Sequence, residues 1–388
     1  MTSLCPLPIR PTIAELPSSK IREIANLGAG IDDVIPLWFG EPDRPTPDFI
    51  NQAAISALNS GQTFYTANRG IPELRAALSD YMTDLHGLGI GIERISVTAS
   101  AMNAIAVVMQ ALIDPGDNAV LVAPLWPNIS ACVRIMDGEP RFVRLDETES
   151  GWRLDLDRLF SSVDGRTRAV FINSPSNPTG WMMPAEDQQR VLDWFRERGI
   201  WVIADEVYDR IAFGLLRAPS FLDIAEPDDL VIRINSFSKT WCMTGWRLGW
   251  VTAPAAFGPT LEKLTEYNIA NAPSMAQHAG IVALRDGNRF VHETVERYRV
   301  SRDAVYQRLR AFPRVRLSLP EAAFYAFFEV DGIDDSLAFA KKLVREVRVG
   351  LAPGIAFGAE GEGHMRLCFA ASVDTLSQAM DRLEPALR

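Results

Sequence analysis

From about residue 45 to residue 255 the chain alternates short apolar runs with amphipathic stretches at helical spacing. Residues 95–98, 119–122, 169–172, 200–204 and 230–234 are runs of four or five largely apolar residues. Runs this short and this apolar suit strands buried on both faces of a parallel sheet. Between them lie helix patterns. Asp48 precedes a stripe of Phe49, Ala53, Ala57 and Leu58, and Pro72 opens one of Leu74, Leu78, Tyr81 and Leu85. Residues 104–112 and 184–198 continue the alternation, the latter with Val191, Leu192 and Phe195 inward. Strands alternating with helices predict an α/β layer fold that binds ligands at the carboxyl ends of its strands.

Beyond Ala255 the character changes. Helical patterns run through 277–284 and 290–312. Strand candidates at 315–319, 325–330 and 365–369 are set between helices at 336–347 and 375–387. This predicts a smaller α+β domain. The first thirty residues carry Pro6, Pro8, Pro11 and Pro17, a density that favours an extended arm before a short helix at 18–27. A chain of 388 residues suits such a division. The expected units are 1–45 (arm and part of the small domain), 46–284 (large domain) and 285–388 (small domain).

A net charge of -10 argues against a nucleic-acid backbone or an anionic membrane as main partner. Cys5, Cys132, Cys242 and Cys368 are scattered, and His86, His278, His292 and His364 lack metal-binding spacing. Reduced thiols and no bound metal are expected. The start of the chain has no basic stretch followed by an apolar run, and no segment nears the roughly 20 apolar residues that span a bilayer. A cytoplasmic protein is expected.

The most informative stretch follows the run 230–234. It reads Ser236-Phe237-Ser238-Lys239-Thr240-Trp241-Cys242-Met243-Thr244-Gly245-Trp246-Arg247-Leu248-Gly249. Lysine forms Schiff bases with carbonyls. Hydroxyls beside an arginine suit a phosphate dianion. One compound carrying both an aldehyde and a phosphate would satisfy the whole segment. A solvated lysine and a structural arginine are the plainer reading of Ser-x-Ser-Lys alone, but Gly245-Trp246-Arg247 at this spacing disfavours it.

This segment resembles the lysine motif of the class I/II aminotransferases, enzymes of fold type I that use pyridoxal 5'-phosphate (PLP). Other blocks follow in the same order. Asn173-Ser174-Pro175-Ser176-Asn177-Pro178-Thr179-Gly180 is similar to the family's Asn-Pro-x-Gly turn, and Asp205-Glu206-Val207-Tyr208 to its Asp-Glu-x-Tyr strand end. Tyr65 with Gly70, Leu74 and Arg75, Phe39-Gly40-Glu41-Pro42 and the Arg366 run complete the pattern from about Ile35 to the C-terminus. The resemblance implies a large, mainly parallel α/β domain with a smaller α+β domain. It also implies transfer of an amino group from an L-amino acid to a 2-oxo acid by a ping-pong route through a Schiff base on Lys239.

The resemblance implies roles for named residues. A buried carboxylate keeps a pyridine nitrogen protonated, so that the ring can act as an electron sink, and Asp205 is the candidate. Asn177 and Tyr208 are expected at the ring's phenolic oxygen, with Asn177-Pro178 also reading as a plain turn that could be cis. Backbone amides of Ser100, Ala101 and Met102 at a helix start, with Ser236, Ser238 and Arg247, are expected to hold the phosphate. The family usually has glycine at Ser100 and Gln or Glu at Asn103, so this chain departs there. Tyr65 is expected to reach the phosphate from a second subunit, making a homodimer the active unit. Trp126 is expected to stack on the ring. Arg366, in an otherwise apolar run, matches a substrate α-carboxylate in bidentate fashion.

The same machinery suits a PLP lyase, decarboxylase or racemase. A non-catalytic PLP-binding regulator is disfavoured by the short N-terminal arm and the retained Lys239 and Asp205. Gly40, Trp38, Phe39, Tyr65, Trp126, Asn271 and Phe324 are the substrate-pocket candidates, which favours apolar or aromatic side chains. Arg44, Arg69 or Asn268 would instead serve a distal polar group.

Overall fold

The computed structural model describes residues 8–148 and 150–388; Cys5 and Pro6 lie outside them. The apolar runs assemble into one eight-stranded sheet. Its order is Ile95–Thr98, Gly249–Thr252, Val231–Ser236, Trp201–Asp205, Thr167–Asn173, Asn118–Ala123, Glu139–Thr148 and Gly151–Leu154. The five strands from Val231–Ser236 to Glu139–Thr148 are mutually parallel, and the outer pairings are antiparallel. Successive side chains of a strand point to opposite faces. Ala119 and Leu121 accordingly pack with the helix Ala101–Leu112 on one face, and Val120 and Val122 with the helix Ala185–Arg196 on the other. Both faces are covered, which is why these strands read as unbroken apolar runs. The edge hairpin of Glu139–Thr148 and Gly151–Leu154 is half solvated and carries alternating charges, so apolar runs do not reveal it.

A second sheet is antiparallel, in the order Val315–Arg316, Tyr325–Val330, His364–Cys368 and Ala352–Pro353. The N-terminal segment packs beside it: Ile35–Pro36 pairs in parallel with Val349–Gly350 as a separate two-stranded sheet, and Ile21, Ile24, Leu37 and Trp38 share one core with Phe327, Leu343 and Leu367. The helix Asn288–Leu309 runs between cores, packing Val291 into the larger unit and Tyr298, Val305 and Leu309 into this one.

Some expectations change. Residues 11–14 of the proline-rich arm form one helical turn, Pro11–Ala14, because proline is tolerated at a first helical position. The strand expected at 315–319 stops at Arg316, where pairing with Tyr325–Val330 ends. In the helix Asp48–Asn59 the buried face is Ile50, Ala54 and Ala57, while Phe49 and Leu58 are exposed.

Candidate active site

Strand register gathers the motif residues at one end of the large sheet. Asn173 lies opposite Asp205, Asp205 opposite Ile234, and both Ser236 and Thr98 opposite Gly249. Gly249 permits the closest approach: a Cβ there would lie 2.8 Å from the Ala101 nitrogen and 2.8 Å from the Asn235 carbonyl. The segment 99–101 can therefore cross beside Ser236. A cavity of about 580 Å³ opens at these strand ends, bordered also by Phe39, Tyr325 and Arg366 of the smaller unit.

Ser236 caps the single turn Phe237–Thr240, its Oγ accepting from the Ser238 N–H. That Oγ lies 2.9 Å from Ser238 Oγ and 3.1 Å from the Leu248 carbonyl. The turn projects Lys239 into the cavity, where Nζ donates to the Gly40 carbonyl at 2.5 Å. Burial pulls the Lys239 ammonium down to about 8. Gly40 also makes room, because a Cβ there would overlap the Tyr325 hydroxyl.

Asp205 ends its strand inside the cavity, 5% exposed. Its carboxylate meets only the Val207 N–H, at 3.4 Å, and among the described residues no Lys or Arg is within ion-pairing distance. Burial raises this carboxyl to about 7. The next residue faces elsewhere: Glu206 accepts from Arg233 Nε at 2.6 Å, and the same guanidinium reaches Asp209 at 2.5 Å. This buried triad anchors the strand ends and leaves Asp205 as the carboxylate without a cation.

Arg366 is 2% exposed on the strand His364–Cys368. Its guanidinium lies 4.5 Å from the Tyr325 ring and 4.9 Å from that of Phe357. Nη1 donates to Asn177 Oδ1 at 2.9 Å, Nη2 donates to the Trp38 carbonyl, and Nε has no partner. Among the described residues no carboxylate pairs with it. The Asn177–Pro178 bond is cis, and the Asn177 N–H donates to Asn173 Oδ1 at 2.8 Å. Tyr208 and Tyr325 bring their hydroxyls within 2.7 Å, and burial raises both phenols above their ordinary range, so both stay protonated.

Ser100 begins the helix Ala101–Leu112 at φ 109° and ψ 160°, a region otherwise kept for glycine. Its Oγ accepts from the Asn103 N–H at 3.1 Å, and Asn103 Oδ1 accepts from the Ala99 N–H at 3.2 Å. The first bond caps the helix start, and the second ties the residue before the cap to the first turn. Ser100, Ala101, Met102, Trp126, Ser238 and Arg247 all border the cavity.

Several pocket candidates fall elsewhere. The Trp38 ring turns into the small-unit core, close enough to Gly28 and Gly350 that a Cβ at either would overlap it, and only its carbonyl meets Arg366. Phe324 is fully buried behind the site, edge-on to Tyr208 at 5.4 Å. Asn271 binds the Ala272 carbonyl, Asn268 pairs with Gln110, and Arg69 is spent on Ser96 and the Glu93 and Ile95 carbonyls. Arg44 borders a separate surface pocket. Tyr65 is 89% exposed and does not line the cavity of its own chain. Tyr325, Asn128, Ile21 and Arg22 line it although the motifs do not single them out, as does Asn173, a motif residue given no role from sequence. Tyr325 begins a strand that was expected, and its hydroxyl is the only polar part of that apolar run's first four residues.

Residues 32–383 match the family model for aminotransferases of class I and II. The chain belongs to this family. It is 36% identical over 372 residues to an aspartate aminotransferase of Pyrococcus horikoshii, covering 95% of this chain and 94% of that one. It is 32% identical over 376 residues to aromatic-amino-acid aminotransferase 2 of Thermococcus litoralis, covering 95% and 96%. The crystal structure of an aspartate aminotransferase from Thermotoga maritima superimposes with a TM-score of 0.91 at 32% identity, covering 98% of this chain and 100% of that one. The expected fold type I architecture is thereby established, and the enzyme transfers amino groups. As an aminotransferase it needs a group that accepts the amino nitrogen, and the donor set fits one with an aldehyde, a basic ring nitrogen and an anionic tail. Lys239 supplies the amine, Asp205 a carboxylate lacking a cation, and Ser236, Ser238 and the amides after Ser100 the donors.

Proposed function

We propose that this aminotransferase carries PLP on Lys239 and moves the amino group of an L-amino acid to a 2-oxo acid. The observation that carries the proposal is the pairing of two unmet charges across one cavity: Asp205 without a cation and Arg366 without an anion.

When bound, the cofactor supplies an aldehyde and an electron-withdrawing ring. Asp205 would hold a proton on the ring nitrogen; a positive partner there returns its carboxyl toward the ordinary range. Asn177 and Tyr208 would donate to the ring oxygen, and Trp126 would cover a ring face. The amides of Ser100, Ala101 and Met102 at the helix start, with Ser236, Ser238 and Arg247, would hold the phosphate. Arg366 would bind the substrate α-carboxylate, with Tyr325, Asn177 and the Trp38 carbonyl fixing its fork. Lys239, with its ammonium drawn down to about 8, is suited to take and return the α-proton near neutral pH. Gly40 stands beside it through its carbonyl.

The cavity wall includes Ile21, Phe39, Met102, Ile105 and Trp126, which supports apolar or aromatic side chains as substrates. A homodimer is proposed from one surface. Phe64 and Tyr65 are exposed just before Asn68, which donates to Glu266 and to the Ala270 carbonyl, in the segment that also carries exposed Tyr267 and Ile269. Such a patch suits a second copy, whose cavity Tyr65 would complete. Buried, unpaired Cys132, Cys242 and Cys368 fit a cytoplasmic enzyme.

The test is the visible spectrum of the protein supplied with PLP. An absorption band bleached by an amino acid and restored by a 2-oxo acid is expected. A band that never converts, or identical spectra for wild type and Lys239→Ala, would overturn the proposal.

A further inference from the structure

The turn that brings Tyr208 to the active site brings Arg210, two residues on, to a second cavity of about 880 Å³. This cavity lies between the helices Pro72–His86, Ser274–Asp286 and Asn288–Leu309 and the segment 212–216. Arg210 is its floor, 7% exposed. Nη1 donates to the Tyr81 hydroxyl at 2.9 Å and to Asn288 Oδ1 at 3.5 Å, and Nε has no partner. Among the described residues no carboxylate pairs with it. The nearest in sequence, Asp209, is already held by Arg233 and Asn235. A buried guanidinium normally has a carboxylate, as Arg233 has two, because an uncompensated buried charge is strongly unfavourable.

Part of the wall is apolar, with Leu85 and Val291 inside and Leu215 and Leu216 at the mouth; Leu216 is 70% exposed. The rim is mixed in charge, Asp80, Asp84 and Glu296 standing among Arg285, His292 and Arg299, and Glu296 is already paired with Arg299. The volume falls within the range of small-molecule sites. We propose that this cavity binds a small monocarboxylate with an apolar body. The carboxylate would sit on Arg210 and the body against Leu85, Leu215, Leu216 and Val291. The site uses no residue of the active-site cavity, so it stands apart from the reading of that cavity.

The test uses PLP-loaded protein carrying Arg366→Ala, which removes the active-site guanidinium and keeps Arg210. Calorimetric titration with 3-phenylpropionate is expected to show one equivalent bound per chain. Adding Arg210→Gln should weaken binding at least tenfold, since the charge-assisted hydrogen bonds are lost. Adding Leu216→Asp, at an exposed position where folding is not at stake, should weaken it by a similar factor. Displacement of the probe by phenylpyruvate rather than L-phenylalanine would assign the site to oxo acids, and the reverse to amino acids. Absent binding, binding unchanged by Leu216→Asp, or equally tight binding of phenethylamine would overturn the proposal.

Discussion

Ser100 holds a backbone geometry that its side chain opposes, and Ser100→Gly tests how the two balance. At φ 109° and ψ 160° a residue with a Cβ is strained, at a cost of about 1–3 kcal/mol. Glycine removes that cost. It also removes the Oγ that caps the Asn103 N–H, worth only a few tenths of a kcal/mol when glycine replaces serine. Glycine further loosens the unfolded chain by about 0.4–1 kcal/mol. Relief outweighs the two losses, and a net gain of about 1 kcal/mol is expected. Ser100→Ala keeps the strain and loses the cap, so it should cost about 1 kcal/mol. Urea unfolding of the cofactor-free protein, comparing midpoints at constant slope, separates the three forms. The predicted order is Gly above Ser above Ala. A glycine variant less stable than wild type would refute the reasoning, because the serine would then be at ease in this conformation.

Arg366→Lys keeps the charge but loses the fork, and KM for amino acids should rise roughly 10- to 100-fold, as expected for losing a charge-assisted hydrogen bond of about 1.5–3 kcal/mol. Steady-state kinetics checks this. Arg22 lies exposed at the cavity mouth, its guanidinium 5.2 Å from the Phe39 ring. Arg22→Gln should lower kcat/KM for aspartate about fivefold while leaving leucine unchanged, the worth of an exposed charge. Asp205 is raised by burial from its ordinary range to about 7, so the folded protein binds a proton the unfolded chain has released. The cofactor-free protein should therefore lose stability as pH rises from about 4 to 7, and Asp205→Asn should flatten that slope. Lys239, lowered from 10.5 to about 8, has the opposite sense: stability should rise between about pH 8 and 10.5, and Lys239→Met should remove the rise in pH-resolved melting curves.

The large sheet was legible because its central strands are buried on both faces and separated by helices with their own period. The edge hairpin at 139–154 was not, since a half-solvated strand dilutes its apolar signal with charge. Motif residues such as Lys239, Asp205, Asn177 and Arg366 converge because strand ends fix them in register. The substrate pocket was harder to read. Trp38 and Phe324 adjoin motif residues in sequence, yet in the irregular segments flanking Ile35–Pro36 and Tyr325–Val330 their side chains turn into the core while Phe39 and Tyr325 face the cavity. A shift of one residue decides which aromatic borders the cavity, and in irregular backbone sequence spacing does not fix that choice. Arg22 comes from a helix about 200 residues from the lysine, so only the tertiary fold brings them to one cavity.

The pairing of Ile35–Pro36 with Val349–Gly350 also sets an order of events during synthesis. The apolar residues Ile21, Ile24, Leu37 and Trp38 leave the ribosome early, but the strand they pack beside follows some 310 residues later. At roughly 5–20 residues per second, the nascent chain carries that segment without its final partner for roughly 15–60 s. The large sheet, complete by Thr252, can form meanwhile. The small unit closes last, and its N-terminal segment is the stretch most open to chaperones before the C-terminus is made.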